Sequence, residues 1–379
     1  MTPAERTVYQ STQGAKIVKK EDPGSSFNRA RPVRRIGITF NLKKRDLLQG
    51  EPDDRYEEYD CLETVETLER EISRLGFETG RYEQDETFLE KISRDTPDFV
   101  FNIAEGRGTT RGRESQVPCI LESLGIPFSG SDSTAIAITL DKWLTHHVLA
   151  GGGAKVPDLY MFSTEGDLDR SISIFEKHSK YIVKPRWEGS SKGVFPDSVV
   201  DNPVDMAKRV RRVWKKYRQP ALVEEFLPGT EITVGVMGNR NPAVIGMMVI
   251  DPKAEKGNTV YSLDHKRNWE EMVRYLGPET IDPALRELVG AESLKVFRIL
   301  ELKDIARVDL RLDISGAPKV IDINPLPGIS EAYSDLPILY RMSGGTFPSL
   351  VRGILRESFQ RQGLKWPKTT TKARHRDAA

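Results

Sequence analysis

Cysteine is scarce in this chain: 379 residues contain two, Cys61 and Cys119. Two cysteines build no disulfide framework, and their spacing matches no metal site. They read as reduced thiols of a cytoplasmic protein. A surplus of charge is missing too. Lys plus Arg total 57 and Asp plus Glu 56, so bulk electrostatics points to neither nucleic acid nor an anionic membrane as partner. Apolar runs long enough for a membrane helix are absent. Residues 1–34 lack the apolar centre of a signal peptide, and Glu5, Glu21 and Asp22 count against a transit peptide. That segment is polar and rich in Gly, Ser, Pro, Lys and Arg, so it is expected to be a disordered tail. Residues 364–379 are expected to be a second one.

Between these ends the pattern is α/β. Arg35–Phe40 reads as a buried strand. Tyr59–Leu75 has helical period, with Leu62, Val65, Leu68 and Ile72 on one face. Phe77–Tyr82 and Phe99–Ile103 read as further strands around a short helix. This alternation predicts a parallel sheet with helices on its faces, a Rossmann-like domain over residues 35–150. Gly151-Gly152-Gly153 marks a hinge. A second unit is expected over 151–220 and a third over 221–363. Asp251–Pro278 shows no regular period, and its length suits a lid.

Two glycine-rich loops invite motif readings. Asn102–Gly112 follows a strand and contains Gly106 and Gly108, but Arg111 stands where a dinucleotide fingerprint needs its third glycine. The Gly- and Arg-rich loop remains a candidate anion or substrate site. Lys184–Gly193 has small residues that let backbone N–H groups approach phosphate oxygens, beside a fixed charge on Lys184. It also spells a serine-hydrolase elbow around Ser191. Pro196 argues against the helix that elbow requires, and the partner would have to be His265 or His375. The basic segment Asn202–Tyr217 has a narrow apolar stripe (Val204, Val210, Val213) and no interleaved aromatics, so it reads as a solvated helix rather than a nucleic-acid face.

The most informative stretch is Ile305–Pro325. Two alternating runs flank a turn at Ile314–Ala317, the pattern of a β-hairpin. A turn centred between Ser315 and Gly316 sets Asp309 opposite Asp322 and Arg307 opposite Asn324, all on one face. Val308, Leu310, Ile321 and Ile323 then fill the other face. Facing carboxylates repel, so a positive group is expected between them. Two carboxylates and an amide oxygen are hard ligands suited to Mg²⁺. An adjacent Arg suits developing negative charge.

Five segments then fall in one order: Asp141-Lys142; Lys184-Pro-Arg-Trp-Glu-Gly-Ser-Ser-Lys-Gly-Val194; Glu224-Glu-Phe-Leu-Pro-Gly-Thr-Glu231; Ala306-Arg-Val-Asp-Leu-Arg-Leu-Asp313; and Asp322-Ile-Asn324 followed by Pro327-Gly328. Together they resemble the ATP-grasp superfamily and, within it, the D-alanine–D-alanine ligases, from about Arg35 to Gly363. The resemblance implies an ATP-grasp fold after a Rossmann-like domain, ATP with Mg²⁺ (or Mn²⁺), amino-acid substrates, a role in peptidoglycan biosynthesis, and a homodimer by family precedent. It implies that Lys142 and Lys184 hold ATP phosphates and that Ser190 and Ser191 sit over the γ-phosphate. Glu224, Phe226 and Leu227 would read adenine, and Glu231 the ribose. Asp309, Asp322 and Asn324 would hold the metal. Arg307 would stabilise the acyl phosphate, Gly328 would bind the second substrate's carboxylate, and Lys266 would approach the γ-phosphate.

Four departures from the family pattern bear on substrate. Asp322 replaces the usual Glu. Arg267 follows Lys266 where the family has Tyr, which points to a different or more acidic substrate. Glu105 precedes Gly106 where the family has His. The family's amine-binding Glu has only Glu57 and Glu58 as loose counterparts. A ligase on the same scaffold joining other amino acids or a peptide, outside cell-wall synthesis, is the alternative; an ATP-binding protein without turnover is another.

Overall fold

The computed structural model describes residues 32–44, 52–253 and 260–366. The predicted tails lie almost wholly outside the described residues. Their described ends are packed, which corrects both boundaries inward: Val33 is buried, and Leu364 and Trp366 pack against the core, with Trp366 edge-on to Phe77.

Strands β1 (Arg35–Phe40), β2 (Glu78–Glu83) and β3 (Phe99–Asn102) form a parallel sheet in the order β2-β1-β3. Ile36, Ile38, Phe40, Phe99 and Phe101 are buried, as near-continuous apolar strands of a parallel sheet should be. Val65, Leu68 and Ile72 of the helix Leu62–Arg74 pack on them, whereas Leu62 begins the helix and is 46% exposed. The same core takes in Leu350, Val351, Ile354, Leu355 and Phe359 of the helix Phe347–Gln362, so the end of the chain returns to cover its beginning. Buried Asp304 fastens that return. It accepts hydrogen bonds from Ser358 Oγ, Arg361, Asn239 and the Gly130 N–H.

Strands β4 (Leu159–Phe162), β5 (Tyr181–Pro185), β6 (Val199–Val200) and β7 (Ala221–Glu225) form an antiparallel sheet ordered β4-β7-β5-β6. A boundary at residue 220 would cut this sheet, because β7 lies between β4 and β5. The basic segment is the helix Pro203–Tyr217, begun by Asn202 accepting from the Asp205 N–H and by proline at its first position. Met206, Val210 and Val213 bury its stripe, while Val204 is 64% exposed. Its outward cations pair with acids: Lys208 with Asp205, Arg211 with Glu165, Lys216 with Asp53.

Strands β8 (Glu231–Met237), β9 (Ala243–Pro252), β10 (Val273–Leu276), β11 (Ile305–Leu312) and β12 (Pro318–Asn324) form the third sheet, ordered β10-β9-β8-β11-β12 and antiparallel. The helix Pro283–Ile299 covers one face and the helix Asp335–Met342 packs against β8 and β9. Much of the presumed irregular segment is regular. Short helices at Leu263–Arg267 and Trp269–Met272 lead into β10, which pairs with the end of β9. Strand β10 is too short for its period to stand out in the sequence.

Candidate active site

The hairpin of β11 and β12 has the predicted facing pairs, Arg307 with Asn324 and Asp309 with Asp322. A bulge follows, and Leu310 pairs with Val320. The extra residue is Ile321, which corrects its assignment to the core: Val308, Leu310, Val320 and Ile323 are buried, while Ile321 lines the cavity beside Asp322. Bulges re-aim side chains in this way. Each acid of the facing pair has its own protein cation. Asp309 accepts from Arg307 Nε and Nη2 at 2.9 Å each, from Thr233 Oγ1, and from Asn324 Nδ2 at 3.0 Å. Asp322 accepts from Lys142 Nζ at 3.0 Å. Burial disfavours charge on Asp309, yet Arg307 holds its carboxyl below the usual range and is itself raised in turn.

These residues open onto a cavity of about 290 Å³ bounded by the second and third sheets and by first-domain segments outside the strands, which carry Glu58, Asp60, Glu105 and Glu114. Lys142, Lys184, Ser190, Ser191, Glu224, Phe226, Leu227, Glu231, Lys266, Arg307, Asp309, Asp322, Asn324, Glu105 and Gly328 all line it. On one side Lys184 Nζ donates to Glu224 at 2.8 Å, and the Arg311 guanidinium lies 5.0 Å from the centre of the Phe226 ring. Burial raises Glu231 to about 7 despite Arg311 3.7 Å away. Asp141 faces away. It caps the helix Lys142–Gly151 by accepting from the Leu144 N–H and takes a bidentate pair from Arg186. It thereby fixes Lys142 at the helix start, and Asp322 offsets the burial of that lysine and raises it.

The glycine-rich loop after β5 closes over this side. Ser190 and Ser191 both have positive φ, 48° and 57°, a conformation side-chain-bearing residues rarely adopt outside functional loops. Ser191 Oγ donates to the Tyr261 carbonyl at 2.9 Å and His265 bonds Ser262 instead, so among the described residues Ser191 has no histidine partner; His375 lies outside the described residues. Lys266 enters the cavity with its ammonium 5.2 Å from the Tyr261 ring, and burial together with Arg307 lowers its pKa. Arg267 is outside the cavity lining. It pairs with Glu57 at 2.8 Å near the surface, so its charge meets a protein acid rather than an acidic substrate.

What motif reasoning missed is the wall contributed by the first domain. Arg113, 2% exposed, donates to both oxygens of Glu58 at 2.8 and 2.9 Å and to the Trp187 carbonyl. Lys192 reaches Glu58 at 3.1 Å and also pairs with Glu188. Burial works against Glu58, but Arg113 and Lys192 hold its carboxyl well below the usual range. The Gly189 N–H donates to Glu58 at 2.7 Å, and a Cβ at Gly189 would come within 2.6 Å of the same oxygen. The Asn102–Gly112 loop offers no free arginine as an anion site: Arg107 pairs with Glu86 and Arg111 with Asp141. Its turn needs Gly106, where φ is 86° and a Cβ would overlap the Arg113 carbonyl. What this region gives the cavity is Glu105 and Glu114.

The profile of the D-ala D-ala ligase C-terminus family matches residues 153–356. A D-alanine–D-alanine ligase of Aquifex aeolicus is 30% identical over 300 residues, 78% of this chain and 94% of the relative. The chain belongs to the D-alanine–D-alanine ligase family. An uncharacterized protein of Sinorhizobium fredii is 31% identical over 303 residues, covering 75% of this chain and 84% of that one. Among solved structures, D-alanyl-alanine synthetase A from Vibrio cholerae superposes with a TM-score of 0.68 at 18% identity, covering 86% of this chain and 99% of its own, which supports the mixed α/β ATP-grasp architecture. This family member is thus a catalytic, ATP-dependent ligase of the D-alanine–D-alanine ligase type.

The hairpin donors fit a hard divalent cation, with one adjustment. The amide oxygen of Asn324 and the second carboxylate oxygen of Asp322 have no partner among the described residues. Asp309 already receives four hydrogen bonds, so it could join as a ligand once Arg307 turned toward the cavity. A second ligand-like group, Asp158, His178 and Glu225, is compensated by Lys177 and Lys319 at 2.7 and 2.8 Å.

Proposed function

We propose that this ligase joins the carboxylate of one amino acid to the amine of another through an acyl phosphate, releasing ADP and phosphate. The observation that carries this reading is that Arg307, Asp309, Asp322 and Asn324 share one cavity with three lysines, Lys142, Lys184 and Lys266. Phe226, Leu227 and Ile321 form the apolar bed for adenine and Glu231 meets the ribose. Lys142 and Lys184 receive the phosphates, and Ser190 and Ser191 cover the γ-phosphate. Mg²⁺ held by Asp322, Asn324 and Asp309 would neutralise phosphate charge as the transfer proceeds.

In the first step a carboxylate oxygen attacks the γ-phosphorus and the bond to ADP breaks. In the second, the neutral amine attacks the carbonyl carbon of the acyl phosphate, the C–O bond to phosphate breaks, and the proton lost from nitrogen leaves with the phosphate. Arg307 and Lys266 meet the negative charge that builds on the transferring group and on the tetrahedral oxygen. The loops carrying Ser191 and Tyr261, joined by a hydrogen bond, exclude water from the acyl phosphate. Positioning supplies most of the acceleration.

The test is product analysis with ATP, Mg²⁺ and a panel of D- and L-amino acids. ADP, phosphate and a new amide should appear in equal amounts. ATP cleavage without amide formation on any pair would remove this reading. Tight ATP binding with no turnover would favour a non-catalytic ATP-binding protein.

A further inference from the structure

The first-domain wall carries more acid than its cations account for. Arg113 and Lys192 are matched by Glu58 and Glu188, with distances of 2.8 Å for Arg113–Glu58 and 3.6 Å for Arg113–Glu188. Arg267 and Lys43 face Glu57 at 2.8 and 3.9 Å, and Lys142 faces Asp322. Three carboxylates remain on the cavity surface: Asp60, Glu105 and Glu114. Among the described residues none of them receives a side-chain hydrogen bond, and the nearest ion pair to any is Arg113 at 3.8 Å from Glu114. Glu114 is 8% exposed and lines the cavity, a buried acid directed at the space a substrate would fill.

We propose that one of the two amino acids this ligase joins carries a basic side chain, whose positive charge is received by Asp60, Glu105 and Glu114. This rests on the ligase reading above. An amino acid with a neutral side chain brings one ammonium and one carboxylate and therefore no net charge. Its ammonium can meet one of the three acids while its carboxylate goes to the cations opposite, which leaves two acids of this wall without a cation. A diamino acid or a guanidino acid brings the missing cation, and buried acids without partners are otherwise costly. The chemistry selects lysine-, ornithine-, diaminobutyrate- or arginine-like substrates over alanine, norleucine and glutamate.

The full chain is assayed with ATP and Mg²⁺ for amide formation, pairing each amino acid in both enantiomers with a common panel. The expected result is a kcat/KM for basic amino acids at least about ten-fold above that for the unbranched, uncharged norleucine. Preference for alanine or glutamate overturns the proposal while leaving the ligase reading intact. No amide with any pair overturns both. Glu114→Gln and, independently, Glu105→Gln should shrink the lysine-to-norleucine ratio several-fold while the thermal shift given by ATP alone is unchanged. An unchanged ratio in both folded variants also overturns it. A raised melting temperature of Glu114→Gln confirms that the variant is folded and that a carboxylate held at a cost has been removed.

Discussion

The two sides of the cavity solve the same electrostatic problem differently. On the side of β5, β7, β11 and β12 nearly every acid has a cation of its own: Glu224 with Lys184, Asp309 with Arg307, Asp322 with Lys142, Glu225 with Lys319. On the first-domain side Asp60, Glu105 and Glu114 are left over. A balanced surface holds its geometry before any ligand arrives, which suits a nucleotide whose phosphates exchange with those pairs. An unbalanced surface is completed by what binds. On the proposed reading, general chemistry falls to one side and selection of substrate to the other.

The sharpest way to break that comparison is on the balanced side. Arg307→Ala removes the group proposed to meet the developing charge and leaves Asp309 buried without its main partner. Turnover should fall by at least about 10²–10³-fold, while circular dichroism shows a folded chain. Asp309→Asn should do the same by removing the negative charge of a proposed metal ligand. Amino-acid-dependent phosphate release within a few-fold of normal in either variant would sink the assignment of the hairpin.

The unbalanced side should show itself through pH. Burial raises Asp60 and Glu114 to about 7 and raises Glu105 too. The groups acting on them are Lys43 at Asp60; Glu114, Glu58, Asp60 and Arg113 at Glu105; and Arg113, Glu58, Lys142 and Lys192 at Glu114. Unfolded, these carboxyls titrate at about 4. The folded state therefore binds more protons between about pH 4 and 7, and stability from this wall is full below that window and is lost as pH rises through about 7. Without substrate, the melting temperature should fall from pH 5 to 8, by the equivalent of roughly 1–3 kcal/mol, and Glu114→Gln should flatten the slope. A melting temperature flat over that range would show that solvent reaches this wall.

The balanced side was also the legible one, for a physical reason. Its residues lie within short runs, so a period-two pattern alone set Arg307 against Asn324 and Asp309 against Asp322. The bulge that sends Ile321 into the cavity left no trace, because an extra apolar residue in an apolar strand changes no pattern. The first-domain wall joins Glu58, Glu114 and Glu188, which are far apart in the chain, and no local spacing encodes which acid meets which cation. One signal was present: the crowding of Glu57, Glu58 and Asp60 just before a helix, and of Arg113 and Glu114 after a loop, marks charges too dense to be independent. The arginine-rich loop misled because its arginines meet acids rather than anions. The domain boundary at 220 failed because sheet membership of β7 is decided by pairing across the chain, not by composition.

The contact between the two sides can be loosened at Gly189. A methyl there would meet Glu58 Oε1 at 2.6 Å, so Gly189→Ala must displace either the loop bearing Ser190 and Ser191 or the Glu58–Arg113 pair. The KM for ATP should rise several-fold, with a smaller change in kcat, if the loop covers the phosphates, as proposed, rather than reacting. An ATP KM and melting temperature both unchanged would mean that the loop does not depend on Glu58.

The smallest effect is expected at Arg267, and it separates a clasp from a selector. The residue sits one position beyond Lys266 yet leaves the cavity to pair with Glu57, and both side chains are partly exposed. Pairs of that kind contribute about 0–1 kcal/mol and are screened by salt. Arg267→Ala should therefore lower the melting temperature by at most a few degrees, less at high salt, and leave the order of preference among amino acids unchanged. If Arg267 met the substrate directly, the same variant would instead reorder that preference at constant stability. The two outcomes differ in sign of evidence, not only in size, because a residue that closes the lid changes all substrates alike and a residue that reads the substrate does not.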